Sequence, residues 1–250
     1  MTFDLKKSFA EALKDQNEIF GDMLFEEPGQ KKSEISYTNI PESIKLPKIE
    51  TALSDNIFLE EFQKADSIQE LNTLICECRK CPLGKTRTKF VFGIGNPQTN
   101  AMLIGEAPGH DEDLQGEPFV GRAGKLLNDI LKAINFARED VFIANILKCR
   151  PPNNRDPLPL EIETCIPYLH KQIELIHPKV ILCLGRVAAS GLLNKKLSLG
   201  QFRESDHEFN GIKVIVTYHP AALLRNPNWK HGCWEDVKKF RKIYDDLTAS

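Results

Sequence analysis

Nowhere in this 250-residue chain do about 18 apolar residues run together, so the sequence predicts no helix that crosses a membrane. The N-terminus lacks the apolar core of a signal peptide and opens instead on charged, helix-period sequence. There is no internal repeat and no low-complexity tract, and 41% hydrophobic content is enough for one substantial core with a tail. Cysteine is present in an odd number, seven, which does not read as a secreted disulfide framework. A cytoplasmic protein with ligand or buried thiols is expected, and neither a membrane nor an obligate oligomer is called for: the expectation is a monomer.

Charge is unevenly distributed. The formal net charge of −2 divides into −7 over residues 1–70 and +5 over residues 71–250. A mildly basic C-terminal part permits a polyanionic partner without demanding one. The chain accordingly divides into an N-terminal extension over residues 1–58 and a folded domain over residues 59–250. In the extension, Phe3, Leu5, Phe9, Leu13, Phe20 and Leu24 approximate helical spacing over 2–25, and a polar stretch with Pro28, Pro41 and Pro47 reads as a linker. That first helix is either a docking element for a partner or an uninvolved tail.

Past residue 57 the pattern changes. A helix over Leu59–Ile75 leads into Cys78-x-x-Cys81-Pro82. Four short apolar runs follow: Ala101–Ile104, Val141–Ile146, Val180–Leu184 and Val214–Thr217. Helical patterns at Ala123–Asn135, Leu160–Ile176 and Val187–Leu193 alternate with them, and Trp234–Leu247 closes the chain. This alternation predicts an α/β fold, a three-layer α/β/α sandwich with a central four-stranded, mostly parallel sheet.

In an open parallel sheet, ligands bind beyond the carboxyl ends of the strands. The first predicted strand is followed by Gly105-Glu106-Ala107-Pro108-Gly109, and Asn145 stands at the end of the second. Gly185-Arg186 follows the third, and Tyr218-His219-Pro220 the fourth. A carboxylate, a carboxamide and an imidazole thus meet one sheet edge. The glycine-rich first loop is not a phosphate-binding loop, because the run Gly121 to Leu126 lacks both the spacing and the terminal hydroxyl.

GEAPG with Phe119, Asn145 followed by Lys148-Cys149-Arg150-Pro151, and His219-PAALLRNP together resemble the family-4, iron–sulfur uracil-DNA glycosylases over about residues 68–245. The resemblance implies a monofunctional repair enzyme that removes uracil from DNA and leaves an abasic site. Its catalytic residues would be Glu106, Asn145 and His219, and its substrate would also contact Ala107, Gly109 and Phe119. Phe119 resembles the platform on which a flipped base stacks; a plain core Phe is the alternative. Asn145 resembles the residue that accepts from uracil N3–H and donates to O4, a pattern cytosine reverses; an ordinary turn Asn is the alternative. His219 resembles the donor to uracil O2, where charge develops as N1–C1′ breaks. Ala107 stands where other uracil glycosylases carry a water-positioning Asp, and Gly109 where they carry a thymine-excluding Tyr. Leu223, Leu224 and Arg225 resemble a wedge and its phosphate contact, with Arg150 and Arg155 as further DNA-backbone candidates.

The resemblance also assigns Cys78, Cys81, Cys149 and Cys165 to a 4Fe-4S cluster. Read from the residues alone, four cysteines suit zinc as well. Cys183 fits a core strand, and Cys76 adjoins the knuckle. Two rival readings are a non-catalytic nucleic-acid-binding protein with a redox-sensing cluster, and a related branch that bonds covalently to the abasic sugar. The second needs a histidine-bearing basic insertion, and the segment after Cys149 reads RPPNNRDPLP without it.

Overall fold

The computed structural model describes residues 60–249. The expected N-terminal helix and linker, and the extension over 1–58 as a whole, lie outside the described residues.

Among the described residues six strands form one sheet: β1 (Ile94–Gly95), β2 (Ala101–Gly105), β3 (Phe142–Asn145), β4 (Val180–Leu184), β5 (His207–Phe209) and β6 (Ile212–Thr217). They lie in the order β1-β3-β2-β4-β6-β5. The four predicted strands are the central ones, and they run parallel, β2 beside β3 and β4, and β4 beside β6. The predicted four-stranded sheet is therefore too small. Antiparallel edges are added by β1 against β3 and β5 against β6. Both additions are short, which is why hydrophobic runs did not reveal them. The β5–β6 hairpin turns on Asn210-Gly211, with φ of 48° and 82°, a two-residue loop that demands left-handed backbone. Its Asn-Gly signal is present in the sequence.

Nine α-helices surround the sheet among the described residues: α1 (Ile68–Ile75), α2 (Leu83–Thr86), α3 (His110–Gln115), α4 (Arg122–Ala133), α5 (Pro159–Ile176), α6 (Arg186–Leu193), α7 (Leu199–Glu204), α8 (Pro220–Arg225) and α9 (Lys230–Thr248). The helix expected over Leu59–Ile75 is not continuous. A 3₁₀ turn covers Glu61–Lys64, and α1 starts afresh where the Ser67 hydroxyl accepts from the Glu70 amide at 3.1 Å.

Successive side chains along a strand face opposite ways, and here both faces are apolar. Met102, Ile104, Phe142, Ala144, Ile181 and Cys183 pack with α1, α5, α6 and α7. Ala101, Leu103, Ile143, Val180 and Leu182 pack with α4, α8 and α9. Two cores on one sheet make three layers, as the sequence predicts. Cys183, fully buried, belongs to the first core. Among the described residues no helix is long and apolar enough to cross a membrane.

Candidate active site

The carboxyl ends of β2, β3 and β6 open on a cavity of about 380 Å³. Glu106, Ala107, Gly109, Phe119, Asn145, His219 and Arg225 all line it, together with Glu112, Asn154, Arg155 and Asp156. The carboxylate, carboxamide and imidazole placed at one edge by the sequence thus share one compartment.

Asn145 ends β3, paired in register with Gly105 of β2. The side chain is 2% exposed, and its Oδ1 is buried without a hydrogen-bond partner. Such an acceptor is costly to leave unmade, so an unpartnered one on a residue that lines the cavity marks a ligand position. Gly105 makes room for it. A Cβ there would run into Asn145 Oδ1, and into the Phe119 ring at 2.7 Å. Phe119 takes a left-handed backbone, φ 54°, unusual for an aromatic residue, and its carbonyl lies where a Cβ on Gly124 would have to go. Its ring is buried against the second core and also lines the cavity, so the core and platform readings describe two sides of one ring.

His219 caps α8. Its Nδ1 accepts from the Ala221 amide at 3.2 Å, which leaves Nε2 to carry the proton of the neutral ring. Burial, and then the Arg225 charge, push its pKa down to about 4, so the ring is neutral near pH 7. Its ring centroid lies 5.6 Å from that of Phe119, with the planes 31° apart. Gly185, at φ 97°, lets α6 begin close to His219: a Cβ there would lie 3.1 Å from His219 Cβ. Glu106 has its pKa pushed up to about 7 by burial and by the Asp156 charge, with Arg186 opposing.

Glu112 went unread in the sequence, hidden in an acidic run. Its carboxylate accepts from the amides of Gly109 (3.1 Å), Val120 (3.0 Å) and Gly121 (3.4 Å), clasping the two sides of the first loop around the cavity.

The DNA-contact candidates separate. Leu223 is 1% exposed and packs into the second core, because α8 turns that side chain inward; it is not a surface wedge. Leu224, 38% exposed, faces solvent. Arg155 is committed to Glu161 through two hydrogen bonds, 2.9 and 2.7 Å, which brace the proline-rich loop. Arg150 donates to Asn154 Oδ1 at 2.8 Å and lies 3.1 Å from His110 Nδ1.

The predicted cysteine ligands pack around the first core, Cys149 and Cys165 buried, Cys78 and Cys81 half-buried. Donors point at the sulfurs. Arg87 reaches Cys149 Sγ at 3.2 Å, the Tyr168 hydroxyl reaches Cys78 Sγ at 3.2 Å, and the Lys148 amide reaches Cys165 Sγ at 3.3 Å. Burial pushes the Cys165 thiol up to about 12, and raises that of Cys149, where Arg87 opposes. Gly84 allows the knuckle to close, since a Cβ there would lie 2.9 Å from the Cys78 carbonyl. Among the described residues no group of three or more His, Cys, Asp or Glu is gathered tightly enough to hold a single metal ion.

A family model described as the uracil DNA glycosylase superfamily matches residues 92–248. The chain is 47% identical over 186 residues to a type-4 uracil-DNA glycosylase of Archaeoglobus fulgidus, covering 71% of this chain and 94% of that protein. It is 46% identical over 193 residues to the type-4 uracil-DNA glycosylase of Saccharolobus solfataricus, covering 74% and 88%. It is 44% identical over 186 residues to that of Thermotoga maritima, covering 73% and 97%.

Proposed function

The chain belongs to the uracil DNA glycosylase superfamily, and we propose that the cavity beyond β2, β3 and β6 is where it acts on uracil in DNA. It is a DNA repair hydrolase: it cleaves the N-glycosidic bond of uracil in DNA and leaves an abasic site. A base inside a duplex is out of reach, so the target nucleotide enters extruded or from single-stranded DNA. Phe119 stacks on its face. Asn145 accepts from N3–H through its unpartnered Oδ1, the observation that carries the reading, and donates to O4 through its amide nitrogen.

As N1–C1′ lengthens, positive charge develops on the sugar and negative charge on the base. The Nε2–H of neutral His219 is the donor for O2, where that negative charge collects. Water bonds to C1′, loses its proton, and the base leaves as an N1 anion that is then protonated. Glu106 orients that water in its ionised form, in place of the side chain that Ala107 lacks. Leu224 fills the gap left by the extruded nucleotide, and Arg225 and Arg150 meet phosphate.

Cys78, Cys81, Cys149 and Cys165 fit a 4Fe-4S cluster. Their donor set is all sulfur, and three hydrogen-bond donors already point at it to offset thiolate charge. A cluster spreads four thiolates over four irons, whereas one zinc draws them to about 2.3 Å from a single centre. The cluster would supply a structural cross-link between the Cys78 loop and the Cys149–Cys165 segment, without a part in bond cleavage. Residues 1–58 serve as an extension for a replication or repair partner, and the enzyme works as a monomer in the cytoplasm, at the nucleoid in a bacterial cell.

Purified protein incubated with oligonucleotides carrying one uracil, thymine, hypoxanthine or cytosine, then cleaved with alkali, tests the activity. Strand scission at uracil and not at cytosine is expected. Equal scission of both overturns the role given to Asn145, and no scission at uracil overturns the activity itself. An adduct with DNA that survives denaturation would favour covalent trapping instead.

A further inference from the structure

Three residues beyond Asn145, Lys148 is fully buried, its side chain included. Its Nζ donates to the main-chain carbonyl of Asn145 at 2.9 Å and to Gln172 Oε1 at 2.6 Å. Gln172, on α5 and equally buried, is fixed in turn by donation to the Phe92 carbonyl at 2.9 Å. The Lys148 carbonyl accepts from the Val91 amide at 2.9 Å. The end of β3 is therefore held from behind by α5 and by the segment before β1. On its other side the Ile146 amide donates to the Gly105 carbonyl, and the Leu147 amide to that of Glu106, both at 3.0 Å.

Burying an ammonium is expensive; the neighbouring Cys149 and Cys165 sulfurs offset part of that cost, but Nζ is directed at neither, and its hydrogen bonds go to the Asn145 carbonyl and Gln172. A methionine would fill much the same space without that cost. The ammonium adds a strong, directed donor aimed at Asn145, whose buried carboxamide lines the cavity. We propose that Lys148, anchored by Gln172, is a positioning residue that sets the Asn145 main chain so that its carboxamide is aligned for the uracil edge. The inference rests on the reading of Asn145 as the base-reading group. It also gives the helix that carries Cys165 a direct mechanical link to the base pocket.

A double-mutant cycle tests it, using Lys148→Met and Asn145→Ala, alone and together, in the full chain. Single-turnover uracil excision is followed alongside melting temperature and visible absorbance. Lys148→Met should lower the single-turnover rate about 100-fold, the scale of an ångström of misplacement, with fold and colour kept. In the Asn145→Ala background the same change should alter the rate by no more than about twofold, because the group it positions is gone. Multiplicative losses in the double variant, or an unchanged rate in Lys148→Met, overturn the proposal. If Lys148→Met does not fold, Gln172→Met keeps the charge and removes its anchor, and the same cycle applies with the same criterion. Full activity in Asn145→Ala alone would instead refute the role of Asn145.

Discussion

The corner that holds Cys78, Cys81, Cys149 and Cys165 and the cavity that holds Asn145 and His219 meet in the short stretch from Asn145 to Cys149, yet they treat polar atoms in opposite ways. At the corner, sulfurs receive hydrogen bonds from Arg87, Tyr168 and the Lys148 amide. In the cavity, Asn145 Oδ1 has no partner, His219 is kept neutral, and Glu106 is pushed toward neutrality. Satisfied donors and acceptors add rigidity; unsatisfied or neutralised ones hold free energy in reserve for a ligand. The difference separates scaffold from chemistry within one edge of the sheet.

If the corner is scaffold, damage there should be global. Cys81→Ser is expected to remove visible absorbance and folding together, read by absorbance and circular dichroism, since binding energy at such a site is folding energy. A colourless protein that stays folded and loses only catalysis would erase the contrast. The paired leucines of α8 give a smaller version of the same comparison. Leu223→Ala should cost about 2–5 kcal/mol of stability in denaturant titration, as a buried truncation does. Leu224→Ala should leave stability nearly unchanged and slow excision more on duplex than on single-stranded DNA.

The smallest expected effect is a pH dependence with opposite signs at two cavity residues. Between 4.5, the ordinary value, and about 7, Glu106 binds more proton folded than unfolded, so its contribution to stability falls as pH rises through that window. His219 binds less proton folded than unfolded between about 4 and 6.5, so stability is lost as pH falls through it. Denaturation midpoints across pH 4–8 should show a flatter neutral limb in Glu106→Gln. If Glu106 acts as proposed, excision by the natural enzyme should rise with pH through about 7 as its carboxylate ionises. The Gln variant should be slow and flat; a pH profile unaltered by that substitution counts against the role given to Glu106.

The central sheet was legible because its four parallel strands are buried on both faces and read as apolar runs. β1 and β5, of two and three residues, carry too few side chains for any periodicity, and the Asn210-Gly211 turn between β5 and β6 went unread. At the site, Glu106, Asn145 and His219 could be placed because strand ends in a parallel sheet share an edge. Inward and outward sides of a six-residue helix could not be told apart, which is how Leu223 was read as a wedge. Glu112 and Lys148 escaped for a common reason. Each makes a contact with residues well beyond its own turn, Glu112 with the Val120 and Gly121 amides and Lys148 with the Gln172 side chain on α5, and no local pattern records such a contact.

Single-turnover release of uracil from a single-uracil oligonucleotide by His219→Ala, beside the natural enzyme, tests the account most directly. With absorbance and melting behaviour retained, the rate should fall about 10²–10³-fold, the loss of one donor to developing charge. A rate indistinguishable from that of the natural enzyme would contradict it.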